Sequence, residues 1–203
     1  MKRIHGISGL ILSLFIGLHL FNHLLSLYGA ERHIACMDQL RVLYRNPIGE
    51  TVLLLAVLIQ VFSGLNIFFR QRKQQRKGFE KLQVATGLYM AFFLFIHVAA
   101  ILAGRVYFQL DTNFYFGAAG LNTFPVNLFF IPYYVLAIMA FFGHLAAIHF
   151  RKMKSTLFGI QVKQQSQIIV VLGLLVSLCI VYGFTNGFQG VHIPAEYNPI
   201  IGK

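Results

Sequence analysis

Acidic residues are scarce in this chain, and where they are missing is more telling than their number. The six of them, Glu31, Asp38, Glu50, Glu80, Asp111 and Glu196, all fall outside the long apolar runs. A proton- or ion-coupled transporter usually keeps an acid within the membrane, so this chain does not fit that class. Tryptophan is absent altogether. Cysteine occurs twice, at Cys36 and Cys179, with no CxxC or metal-ligand spacing, which excludes cysteine-held zinc or iron–sulfur centres on this chain. There is no glycine-rich dinucleotide fingerprint either. Charged residues make up 11%, against about 25% in a soluble domain.

Hydrophobic residues fill the gap. They account for 57% of the 203 positions, with a mean hydropathy of +0.68. Five near-continuous apolar runs, at about 7–27, 51–70, 84–104, 128–150 and 167–185, are each long enough to cross a hydrocarbon core of about 30 Å as a helix. Apolar residues are continuous rather than alternating, which excludes a membrane β-barrel. The fold class is therefore all-α, an integral membrane bundle of five transmembrane helices forming one domain over residues 1–203. The first run exceeds a signal-peptide core, lacks a small-x-small cleavage site and is followed by a second full span, so it reads as a retained helix.

The formal charge of +11 raises the question of nucleic acid, and the placement of the charge answers it. Lys2, Arg3, Arg70, Arg72, Lys73, Arg76, Lys77, Lys81, Arg151, Lys152, Lys154 and Lys163 all fall at alternate ends of the spans, twelve of the seventeen basic residues on one side. The positive-inside rule then puts the N-terminus in the cytoplasm and the C-terminus outside, in a cell's inner (cytoplasmic) membrane. The stretch RQRKQQRK reads as a solvated loop beside anionic membrane lipid, not as a nucleic-acid site. Two longer outer loops, 28–50 and 105–127, and a Gly- and Pro-punctuated tail are expected on the far face.

The chain also repeats itself. SGLILSLFIGLH (8–19) and TGLYMAFFLFIH (86–97) match in place, with Gly9 over Gly87 and His19 over His97, each glycine ten residues before its histidine. GLNIFFRQRK and GHLAAIHFRK show a looser likeness. A helix pair used twice, with a fifth helix added, explains both.

The helical rise of 1.5 Å per residue converts position into depth. His19 lies about 18 Å in from the cytoplasmic side, His23 about 24 Å and His97 about 20 Å. His144, on a helix running the other way, is about 24 Å in from outside, and His149 is at the inner edge. An imidazole in hydrocarbon is either hydrogen-bonded across helices or functional. Two at matching depth on parallel helices suit bis-histidine ligation of haem iron from opposite faces. His19 and His23 share a helix face, so both cannot be axial ligands of one haem, and the repeat selects His19. His23 is then expected to bond a propionate, a quinone or water.

The segments KRIHGISGLILSLFIGLHL, LQVATGLYMAFFLFIHV and FFGHLAAIHF followed by GIQVKQQSQ resemble the single-chain cytochrome b subunit of succinate:quinone oxidoreductases and fumarate reductases, in its five-helix, two-haem form. The likeness covers nearly the whole chain. It implies an outer haem b held by His19 and His97, and an inner haem held by histidines of the second and fourth spans. The fourth supplies His144. The second carries Gln60, four residues before Gly64, where the family has histidine. One haem b is therefore expected, and a second is left with His144 alone or with an unusual partner such as His5 or His149.

The resemblance further implies an anchor for flavoprotein and iron–sulfur subunits on the cytoplasmic face, exchanging electrons with a membrane quinone near the outer side. Arg105 or Arg32 would pair with outer haem propionates, and Arg3, Arg70 or Arg151 with inner ones. His23, His33 and Asp38 are the candidates for the quinone site or its proton path, and His192 receives no role. Two other readings stand beside this one: a haem b membrane cytochrome with a different redox partner, and a cofactor-free helical assembly or binding protein. The matched His19 and His97 argue against the last.

Overall fold

Every long apolar run is a helix, and every helix starts before its run does. The structure, a computed structural model, describes residues 1–202. The helices are α1 (Lys2–Leu24), α2 (Ala30–Tyr44), α3 (Pro47–Gln71), α4 (Phe79–Val106), α5 (Phe114–Leu121), α6 (Asn127–Lys152) and α7 (Val162–Phe184), with 3-10 segments at Leu25–Tyr28 and Ala195–Ile201. Five of them, α1, α3, α4, α6 and α7, are long and apolar enough to cross a membrane. The chain is 79% helical, with no strand among the described residues. It is a multi-pass helical membrane protein.

The early starts have local causes. Asn46 caps α3, its side-chain oxygen accepting from the Gly49 amide at 2.9 Å, and Pro47 occupies the first helical position, where its missing N–H is not needed. Gln161 and Gln164 form a reciprocal capping box that starts α7.

The spans close into a ring in which α1 packs on α3, α3 on α4, α4 on α6, α6 on α7, and α7 back on α1. Small residues bring α6 and α7 together. A Cβ at Gly173 would lie 2.5 Å from the Phe142 Cβ, so the position accepts no side chain. Ser166 and Ser177 on the same helix are fully buried, and each bonds back to a carbonyl of its own helix, which satisfies the hydroxyl without a partner helix. Leu10, Leu14 and Phe21 of α1 are more than half exposed. An apolar stripe of this kind is a liability in water and the ordinary lipid-facing surface of a membrane helix.

The two longer loops and the tail are not irregular. They fold into α2, α5 and the Ala195–Ile201 segment, which together cap one end of the bundle. Tyr197 of the tail is completely buried against Ala119. Its hydroxyl reaches both the Asp111 carbonyl and the Asn113 side-chain oxygen at 3.0 Å. Arg41 of α2 grips Asp111 through both guanidinium ends (2.7 and 3.3 Å) and also bonds Asp38 at 3.2 Å. Asn122 joins α5 to the bundle, donating to the Phe184 carbonyl at 2.9 Å and accepting from the Val191 amide at 3.0 Å.

Candidate functional site

The histidines divide by whether their ring nitrogens are used. His5, His23, His33, His144 and His149 each form a side-chain or backbone hydrogen bond. His192 lies exposed on the surface. His19 and His97 form none among the described residues, although both sit within membrane-crossing helices. They face each other from α1 and α4 with ring centroids 6.2 Å apart and planes at 64°.

Aromatic neighbours hold both rings. Phe15 lies roughly parallel to His19, with centroids 5.7 Å apart and planes within 18°. Phe93 stacks on His97 at 5.0 Å and 14°, and Tyr134 meets it edge-on at 6.5 Å. Both imidazoles are half-buried, so the bundle fixes their orientation and leaves their nitrogens unengaged.

The two rings, 6.2 Å apart, are close enough for one ion to be held between them. Two imidazoles are too few for a tetrahedral zinc site, which takes four ligands. Among the described residues no group of three or more His, Cys, Asp or Glu side chains is placed to hold a bare metal ion. A metal that brings its own equatorial ligands, as haem iron does, fits this donor set.

Next to the pair, His23, expected to bond an external group, makes an internal contact through one of its two ring nitrogens. His23 Nδ1 lies 2.9 Å from His33 Nε2, and Asn22 Nδ2 donates to that same nitrogen at 3.2 Å. With the Asn22 amide so oriented, His33 Nε2 accepts both bonds. His33 is then protonated on Nδ1, and His23 donates from Nδ1 and keeps its lone pair on Nε2. The His23 ring sits 4.2 Å from that of His19. His33 belongs to a helix of the cap yet is only 1% exposed, boxed by Phe114 and Phe184 at centroid distances of 5.4 and 5.3 Å. Burial pushes its imidazole down to about 4, and the charge of Arg41 acts in the same direction. Residues 28–50 read as a loop, which gives no reason to bury His33; in α2 it faces inward. Its spacing of four from Met37, also buried, is the sequence signal for an inward face of α2.

A cleft of about 530 Å³ opens beside this cluster, lined by Ser26, Phe114, Tyr115, Tyr182, Asn186 and His192. Asp38 stays on the exposed face of α2, tied to Arg41. Arg105 is engaged by Glu50 at the start of α3 through both guanidinium nitrogens. Its guanidinium thus serves an ion pair between α4 and α3, where the sequence had suggested a propionate partner. Arg32 lies exposed at a shallow groove with Tyr28 and Cys36.

Toward the other end, the α1–α3 and α4–α6 pairs repeat one relationship. A Cβ at Gly9 would meet the Gln60 side chain at 3.2 Å, and one at Gly87 would meet His144 at 3.3 Å. Gln60 and His144 are thus the corresponding residues of the two halves. His144 Nδ1 donates to the Gln83 carbonyl at 3.1 Å. His149 Nε2 bonds Gln165 Oε1 at 2.8 Å.

These features define the class: a helical membrane protein of five crossing segments with one facing pair of unengaged imidazoles inside the bundle. No family model, curated protein or solved structure matches the chain.

Proposed function

We propose that this chain is a haem b-containing membrane subunit that carries electrons between flavin and iron–sulfur subunits on the cytoplasmic face and a membrane quinone, in succinate:quinone or quinol:fumarate oxidoreduction. The observation that carries the reading is the His19–His97 pair, two facing imidazoles 6.2 Å apart that alone among the bundle's histidines form no hydrogen bond among the described residues. His19 and His97 would hold the haem iron, oriented by Phe15 and Phe93. When bound, haem iron supplies one-electron redox chemistry at a potential set by its ligands and surroundings.

The chain's own residues supply the rest. Phe15, Phe93 and Tyr134 pack against the pair, and the aromatic stacking limits ring rotation. His23, with its lone pair on Nε2, and buried His33 offer hydrogen-bonding groups beside the pair. The neighbouring cleft, with Ser26, Tyr182, Asn186 and His192, is the candidate seat for a quinone headgroup. The basic loops 70–81 and 151–163 are the surface on which a partner would dock beside anionic lipid.

Gln60 favours a second reading, a haem b membrane cytochrome with a different redox partner, because the inner half lacks the matching histidine. Mild detergent extraction separates the two. Under the first reading, flavoprotein and iron–sulfur subunits co-purify with the chain, and succinate reduces its haem or fumarate oxidises it. If haem is present but neither subunit follows, and neither substrate changes its redox state, the second reading replaces the first.

A further inference from the structure

We infer that the inner half of the bundle carries a closed hydrogen-bonded clasp, Ser8–Gln60–His5–Ser63, in the place of a second haem, so that the chain takes one haem, at His19 and His97. The inference rests on the haem reading above and concerns the opposite end of the bundle.

The clasp can be followed atom by atom. Ser63 Oγ donates to the Ile59 carbonyl of its own helix, so its lone pairs face His5 and accept from His5 Nδ1 at 2.9 Å. That fixes His5 with its proton on Nδ1 and its lone pair on Nε2. Gln60 Nε2 donates to that lone pair at 3.3 Å. Gln60 Oε1 in turn accepts from the Ser8 hydroxyl at 2.7 Å. Exchanging the two ends of the amide would still leave both nitrogens of His5 engaged. Each polar group of the cluster therefore has a partner inside it, which makes it a stable structure in an apolar bundle and a poor ligand.

The residues that could partner His144 are engaged or misplaced. His5 has no free nitrogen, and Gln60 is spent on His5 and Ser8. His149 has one nitrogen on Gln165 and stands five residues along the same helix, about 140° around it from His144. α3 carries no histidine.

Ligation through His144 alone meets a steric obstacle. A flat macrocycle lying between helices needs small residues to approach, and here the glycines of the α1–α3 pair are covered. Gln60 lies against Gly9, and the His5 ring against Gly64 at 3.3 Å from a Cβ position there. The side chains that satisfy one another also fill the space. The contrast with the other end is direct, because His19 and His97 keep their nitrogens unengaged with their rings 6.2 Å apart.

The test is haem per chain, measured on purified wild-type protein and on His144→Ala, each with its oxidised and reduced spectra. The inference expects one haem per chain in the wild type and an unchanged spectrum and stoichiometry in His144→Ala. Gln60→Leu, which opens the clasp while adding no ligand, is expected to retain one haem as well, with any loss appearing in thermal stability. Two haems per wild-type chain, or the loss of a distinct spectral component in His144→Ala, overturns the inference and leaves the functional reading standing. No haem in the wild type overturns the functional reading and this inference with it.

Discussion

His23 is hydrogen-bonded to His33 across 2.9 Å, and that bond separates it chemically from His19, its neighbour one turn away. The two lie on the same face of α1, one turn apart, yet only His19 meets His97 with its nitrogens unengaged. Substituting each in turn should therefore give different results. His19→Ala and His97→Ala are expected to abolish haem binding, read as loss of the reduced-minus-oxidised spectrum at normal protein yield. His23→Ala is expected to keep the haem. Haem lost in His23→Ala and retained in His19→Ala would reverse the assignment.

Arg105 provides a second test, because sequence and structure place it differently. Eight residues past His97, it reads as a propionate partner; in the folded chain its guanidinium is taken by Glu50. Both side chains are about three-quarters buried. Removing one member of such a pair falls between the ~1 kcal/mol of an exposed pair and the ~3–5 kcal/mol of a buried one. Arg105→Gln should lower the unfolding midpoint in detergent while leaving haem content and spectrum unaltered. A shifted spectrum at unchanged stability would return Arg105 to the propionates.

Acid stability should report on His33. Its imidazole is held at about 4 in the folded protein, against 6.5 for a free imidazole, chiefly by burial. Between those values the unfolded chain binds a proton that the folded chain does not, so acidification favours unfolding. The loss begins as pH falls through about 6.5, is complete near 4, and amounts to on the order of 3 kcal/mol. The groups facing His33 are His23 and Asn22 of α1, Phe114 of α5 and Phe184 of α7, with Arg41 the nearest fixed charge. Denaturation followed from pH 7 to 4 should show a shallower decline in His33→Leu than in the wild type. An equal slope in both would place the acid sensitivity elsewhere.

What was legible in the sequence follows from where information is local. A span announces itself by its own apolar run, so all five helices and their order were readable. The aligned glycines and histidines exposed the repeated pair, and with it His19 and His97. The cap was not readable in this way. α2 has an ordinary polar composition, α5 is only eight residues long, and the tail is held by Tyr197 reaching back to Asp111 and Asn113, a contact that spans more than eighty positions. The role of Gln60 was visible only as a departure from a pattern. Its engagement with Ser8 and His5 is a tertiary fact, set by how α1 lies against α3.

Tyr197 is the keystone of the cap and can be tested for that role. It is wholly buried, and its hydroxyl bonds within the protein. Truncation to alanine should cost about 3–5 kcal/mol, as for other large buried aromatics. Loss of the hydroxyl alone in Tyr197→Phe should cost about 1–2 kcal/mol through the acceptors left unsatisfied. Limited proteolysis of the 185–202 segment should accelerate in Tyr197→Ala and change little in Tyr197→Phe. Equal resistance in all three proteins would mean that the tail is held by other contacts.

The central claim is that His19 and His97 are two axial ligands of one iron. Electron paramagnetic resonance of the oxidised purified chain, taken with its absorption spectrum, tests it most directly. The account predicts a single low-spin haem with two imidazole ligands, absent from His97→Ala. A chain that purifies folded without haem, or a haem whose low-spin signal survives in His97→Ala, would contradict it.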